Sequence, residues 1–302
     1  MATVSKLFAN GAFQTSVSLD EITRTTVGQS QTGIFASEFD EVTIYPVTNG
    51  LAKRETNTGK LMVAGYFDEY SMYAPAGGSP DIVTSGLMVN LANAPSSGAT
   101  WTDISGNGID ATLQGTPSYV SNNGGGIKLN NPTYSGTDYI VVPYNTTNNT
   151  LTVEIVASFN PTQYWATIWG NESYTAGLGF FAFMSSATSM VYGRPGATAT
   201  ETIAASDSIR HWIFVMNAGQ NSLYLNGSQQ GTTQARTTGG NATGNFYFGS
   251  RHNNAGTGAQ DKMNNSNSAL QPVYYQMRIY NKALNTTEIT QNYNAVKATY
   301  GI

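Results

Sequence analysis

Residues 37–45, "SEFDEVTIY", place Glu38, Asp40 and Glu41 within four positions beside an aromatic ring. Paired carboxylates are the raw material of general acid–base chemistry. The same kernel recurs at Asp20-Glu21 in "SLDEIT" and at Asp68-Glu69 in "YFDEYS": an apolar residue, Asp-Glu, an apolar residue, then Thr or Ser. One such pair reads as catalytic; three copies read as architecture, polar contacts at strand edges. Histidine offers a second chemistry. His211 stands beside Trp212 in a core-strand pattern, which suits a packed, hydrogen-bonded imidazole better than a base. Asp207 and Ser208 lie near it in sequence, but triads are defined by geometry, not proximity. Arg251 and His252, in "GSRHNNAGTG", fall on a loop where both can hydrogen-bond a sugar hydroxyl.

Two further constellations carry binding chemistry. Asp103, Asn107 and Asp110 in "DISGNGID" offer the hard oxygen ligands that calcium takes, and calcium is the one cofactor these residues admit. The same residue types are what tight turns require. In "NPTQYWATIWGNESY", Tyr164, Trp165 and Trp169 put flat aromatic faces near a loop, where a ring can stack on the apolar face of a sugar. Strand alternation predicts Trp165 and Trp169 on the same face, which a packed core would use equally well.

The elements that must position these residues are strands. The chain has 302 residues, of which only 11% are charged, against roughly 25% in an average soluble protein. Gly, Asn, Thr and Ser abound, and 18 tyrosines supply amphipathic bulk. This composition favours short strands and many turns. A net charge of −4 and the absence of a basic run argue against a nucleic-acid partner. Cysteine is absent, so neither a disulfide framework nor a thiolate metal site is available. No apolar run reaches the roughly 18 residues of a membrane span, and the N-terminus lacks a secretory pattern, so no membrane partner and synthesis in the cytoplasm are expected.

Residues 1–73 read as short alternating strands whose two faces are both mixed, which suits a β-rich arm completed by a partner. Residues 74–86, "APAGGSPDIVTSG", carry three glycines and two prolines and are expected as a linker. From residue 87 onward apolar runs recur at short intervals, the pattern of a β-sandwich or jelly roll. "SLYLNGSQQGT" predicts a hairpin turning at Asn226-Gly227. One helix closes the chain: Asn285 and Glu288 form a capping box, Leu284 and Ile289 a staple, and Ile289, Tyr293 and Val296 share the apolar face before Gly301.

On these landmarks the second unit, 87–302, resembles the concanavalin A-like lectin/glucanase superfamily in its laminin-G-like form, as found in structural proteins of tailed bacteriophages. The resemblance is carried by "GLMVNLANA", "WTDISGNGIDATLQG", "DYIVVP", "LTVEIVASFNP", "HWIFV", "LYLNG", "FYFGSR" and the closing "RIYNKALNTTEITQNYNAVKATYGI". Two departures weaken transfer of a ligand site: "GGGIKLNNPTYSG" where relatives carry an aromatic-Asp-Gly, and no Trp in "EIVASF". The N-terminal stretch, "MATVSKLFANGAFQTSVSLDEIT" followed by "FASEFDEVTI" and "AKRETNTGKLMVAGYFDEY", resembles the start of structural proteins from phages of marine cyanobacteria and similar tailed phages. The resemblance implies an all-β protein: a β-rich arm, then a jelly-roll β-sandwich with a short C-terminal helix. It further implies a virion protein, capsid decoration or tail appendage, that contacts other virion proteins through residues 1–73 and assembles as a homo-oligomer. The alternative it leaves open is an adhesin that binds host surface glycans. Glycosidase activity is not expected. The glucanase branch needs Glu, one residue, Asp, one or two residues, then Glu, and Glu38-Phe39-Asp40 is followed by Val42 and Thr43.

Overall fold

The computed structural model describes the backbone of residues 4–9, 12–13, 34–36, 51–55 and 61–64, and residues 81–302 apart from 147–148, 172–178, 195–196, 218, 236–243 and 253–258. Side chains are described from Asp81 onward, without those of residues 194, 197, 252 and 260. The chain divides into two compact units, Met1–Gly78 and Ser79–Ile302.

In the first unit, strands β1 (Val4–Ala9), β2 (Ala12–Phe13), β3 (Ile34–Ala36), β4 (Leu51–Glu55) and β5 (Leu61–Ala64) form one antiparallel sheet in the order β2-β1-β4-β5-β3. The three Asp-Glu kernels, Glu38 included, lie outside the described residues.

The second unit is a sandwich of two antiparallel sheets. Its strands in chain order are β6 (Leu87–Leu91), β7 (Thr100–Trp101), β8 (Ala111–Gln114), β9 (Ser118–Val120), β10 (Gly126–Lys128) and β11 (Tyr139–Val142). They continue with β12 (Leu151–Phe159), β13 (Ala166–Gly170), β14 (Phe181–Ser186), β15 (Ser189–Arg194), β16 (Ala197–Thr202) and β17 (Ser206–Asn217). The last are β18 (Gln220–Leu225), β19 (Ser228–Ala235), β20 (Phe246–Phe248), β21 (Arg251–His252), β22 (Ala259–Gln260) and β23 (Val273–Tyr280), before helix α1 (Thr286–Tyr300). One sheet runs β19-β18-β17-β12-β23-β10-β9, with β6 also on β23; the other runs β16-β15-β14-β13-β20-β11-β8-β7. Their inner faces meet in one apolar core that includes Leu91, Trp101, Ile127, Ile155, Trp169, Phe214, Phe246 and Met277.

Alternation explains most of this placement. In β14, Ala182 and Met184 enter the core while Phe181 and Phe183 take the outer face. In β12 nearly every residue is buried, because Val153 and Ile155 face the core while Glu154 and Val156 lie beneath α1. A strand covered on both sides carries no polar face, so "LTVEIVASF" reads as an apolar run. The expected hairpin joins β18 and β19, with Asn226 (φ 48°) and Gly227 (φ 77°) both in the left-handed region that a type I′ turn needs.

Helix α1 begins at the Asn285–Glu288 capping box, both halves of which form, and ends at Gly301 in the left-handed conformation. Its buried face is Ile289, Asn292, Ala295, Val296 and Tyr300, so Tyr293 sits at the margin, stacked on His211 at 5.9 Å. The buried Asn292 joins a polar cluster centred on Glu154. Arg278 donates from Nη1 to Glu154 Oε1 at 2.5 Å, His211 Nε2 lies 2.9 Å from the same oxygen, and Asn292 Nδ2 donates to Oε2 at 2.6 Å. Burial alone would raise the Glu154 carboxyl; the Arg278 charge and the His211 hydrogen bond overcome it and hold it at about 2, below its ordinary 4.5. Residues 81–86, the end of the stretch read as a linker, pack on this unit. Val83 is buried and donates to Asn292 Oδ1 at 2.8 Å, and Gln291 donates to the Asp81 carbonyl at 2.8 Å.

Candidate functional site

The residues read as a carbohydrate site do not stay together. Trp169 is fully buried, packed edge-on against Phe214 and stacked with Phe246, and so is a core residue. Trp165 is 60% exposed and lies before β13 begins. The expected shared face fails for two backbone reasons. Trp165 has φ +66°, and β13 carries a register shift between Thr167 and Trp169 against β14. One irregular residue reverses the parity of every side chain beyond it.

Trp165 is held firmly in that conformation. Its N–H donates to the Met184 carbonyl at 2.9 Å, and its ring stacks on Phe183 at 5.0 Å. A bulky residue at positive φ is rare, and such strain clusters where a side chain must be aimed for function. Tyr164 beside it is also exposed. Both rings belong to the 160–165 loop, which three buried asparagines brace against its neighbours. Asn264 Oδ1 accepts from the Gln163 N–H at 3.1 Å, and its amide donates to the carbonyls of Lys262 and Gln163. Asn265 donates to the Asn160 carbonyl at 2.6 Å, and its own N–H reaches the Asn131 carbonyl at 3.0 Å. Asn131 in turn donates to the carbonyls of Asp138 and Met263. Loops 131–138, 160–165 and 261–265 are thereby tied together by hydrogen-bonded amides, with Tyr134, Tyr164 and Trp165 as their exposed large side chains.

Register lines up one row of residues across the second sheet, in which Phe181 and Tyr247 are buried. Gly193, Phe181, Gly170, Tyr247 and Val141 stand opposite one another on β15, β14, β13, β20 and β11. Arg251 crosses this row where Gly170 leaves room, since a Cβ there would come within 3.1 Å of the Arg251 Cβ. Its Nε donates to Asp261 Oδ2 at 2.6 Å. Lys262 Nζ lies 5.4 Å from the ring of Tyr139, which pairs with Tyr247 at 5.9 Å. Burial pushes the Lys262 ammonium down, against the pull of Asp261. His252 follows Arg251 on the β21–β22 ribbon, and its side chain lies outside the described residues.

The trio considered for calcium organises a turn. Asp103 Oδ1 accepts from the N–H groups of Asn90 (2.8 Å) and Ser105 (2.9 Å), and Oδ2 accepts from Ser105 Oγ (2.7 Å) and the Ile109 N–H (3.0 Å). Burial raises the Asp103 carboxyl, yet these backbone donors bring it below its ordinary value. Asp110 accepts from the Asp103 N–H, and the Asn107 amide donates to the carbonyls of Leu87 and Met88. The Asp103 oxygens thus close a turn, each engaged by N–H or hydroxyl donors. Among the described residues no three His, Asp or Glu side chains converge as a metal site. His211 is fully buried on Glu154, away from Asp207 and Ser208, which are exposed.

No family model matches the sequence, and no curated protein matches it. Solved structures do. Botulinum neurotoxin type C, whose cell entry is dependent upon interaction with two ganglioside molecules, matches with a TM-score of 0.53 at 13% identity, over 71% of this chain and 52% of its own. The binding domain of Paraclostridial Mosquitocidal Protein 1 gives 0.52 at 15% identity, over 70% and 52%. Trypanosoma rangeli sialidase in complex with sialic acid gives 0.53 at 16% identity, over 90% and 46%. The chain spans about half the length of each. At these identities the likeness is one of fold, an all-β sandwich.

Proposed function

We propose that residues 79–302 form a lectin-like module that binds glycans at Trp165 and Tyr164. The observation that carries this reading is Trp165, an exposed indole fixed at positive φ by a main-chain hydrogen bond and a stacked Phe183. A preorganised aromatic face is what a pyranose ring needs, because little conformational entropy is lost on stacking. The ganglioside and sialic acid contexts of two structural neighbours support the same class of ligand. Recognition without turnover is part of the reading. Glu38 and Asp40 belong to the other unit, and Glu154 is sealed beneath α1. A glycan array probed with the intact chain tests it. Binding to at least one glycan class should weaken about two- to tenfold in Trp165→Ala or Tyr164→Ala, the worth of one aromatic contact; binding that both variants leave unchanged would sink it.

The setting we propose is a virion, with residues 1–73 as the attachment arm to other virion proteins and the sandwich displayed outward. The resemblance of the N-terminal stretch to phage structural proteins supports it, as does the division of the chain after Gly78. Removing residues 1–78 should abolish incorporation into particles while leaving a folded sandwich. Normal incorporation of the truncated chain would exclude residues 1–73 as the attachment arm, and absence of the intact chain from particles would exclude the setting.

A further inference from the structure

Sequence pattern did not single out Tyr134, yet its ring is 50% exposed and both of its main-chain polar groups are committed to the aromatic rim. Its N–H donates to Gln163 Oε1 at 2.9 Å, one residue before Tyr164. Its carbonyl accepts from the Lys262 N–H at 3.0 Å. The carbonyl of Asp261, one residue before that, accepts from the N–H of Thr167, two residues past Trp165, at 3.0 Å. Tyr134 is therefore strapped between the two chain segments that also fix the neighbouring rings. Gly136 lets its loop close, since a Cβ there would stand 2.2 Å from Asn131 Oδ1. The hydroxyls of Thr133 and Ser135, the residues on either side of Tyr134 in sequence, lie 3.1 Å apart and can serve sugar hydroxyls.

A sugar ring is covered on one apolar face by one aromatic ring. Tyr134, Tyr164 and Trp165, at 50%, 44% and 60% exposure on two braced loops, offer more stacking surface than a single sugar can use. Resting on the glycan reading above, we propose that Tyr134 is a further binding residue, and that the ligand is a run of three or more sugar units laid along the rim. A terminal monosaccharide would leave at least one of these rings in water.

The test is a titration of the intact chain against graded oligomers, one to six units long, of each linear backbone that the array identifies, with β-glucan, chitin and α-mannan series included throughout. Affinity should rise until about three units are reached and then level. Tyr134→Ala should weaken binding of the longer oligomers about two- to tenfold and leave the shortest bound form unchanged, while Tyr134→Phe, which keeps the ring, should retain affinity. Affinity independent of length, or a longest oligomer indifferent to Tyr134→Ala, would overturn the chain-binding inference and leave glycan recognition standing. No binding by the unaltered chain anywhere in the array or the series would remove the recognition reading, and this inference with it.

Discussion

Trp165 occupies a backbone conformation that costs a non-glycine residue about 1–2 kcal/mol, and its stacking on Phe183 returns about 0.5–1.5 kcal/mol. The two terms nearly cancel. Trp165→Gly should therefore shift the unfolding free energy by less than about 1 kcal/mol in a denaturant titration, while weakening glycan binding about two- to tenfold. A large loss of stability would mean that the indole is structural. Glu154 is the opposite case, buried and essential to packing. Glu154→Gln leaves the Arg278 guanidinium without its countercharge and should cost about 3–5 kcal/mol. Because the folded carboxyl is held at about 2 against an ordinary 4.5, its contribution is full above the higher value and lost as pH falls through the lower. Stability followed by urea titration should therefore decline from about pH 4.5 towards 2 in the parent chain, and this component of the decline should be missing in Glu154→Gln. At this scale the sequence was only partly legible. Tyr164 and Trp165 stood out as aromatic residues near a loop, whereas Tyr134 did not, because its importance comes from hydrogen bonds to residues about 30 and 130 positions away in sequence.

Helix α1 was readable to its caps, since Asn285, Glu288 and Gly301 act through local hydrogen bonds that a sequence displays directly. Its buried face was less so. The apolar positions Ile289 and Val296 pointed to it, but Asn292 is buried through Glu154, Tyr280 and Val83, partners that no local pattern reveals. Ile289 lies in a cluster with Ile213, Val215, Tyr280 and Leu284, so Ile289→Ala should cost roughly 2–5 kcal/mol by thermal or chemical unfolding. A change near zero would mean that the helix end is free of the sheet. Strand β13 shows the converse failure. Alternation is reliable within a regular ladder, and the register shift at Thr167–Trp169 with the positive φ of Trp165 breaks it where the candidate site begins.

At the scale of the whole molecule, amide side chains brace the rim of the second unit. Asn131, Asn264 and Asn265 brace the loops, and the Asp103 carboxylate is filled by N–H and hydroxyl donors. Glycan binding should accordingly persist at unchanged affinity after dialysis against a chelator, and a loss restored by calcium would show that the brace is incomplete without metal. The most direct test uses the tryptophans themselves. Of the four, Trp101, Trp169 and Trp212 are buried in the core and Trp165 alone is exposed, so the solvent-sensitive part of the intrinsic fluorescence reports from the proposed site. Titration with a glycan that binds should shift the emission to shorter wavelength with the same midpoint as the binding isotherm, and Trp165→Phe should lose the shift. Saturable binding that leaves the Trp165 emission unchanged would place the ligand elsewhere on the molecule and contradict the account.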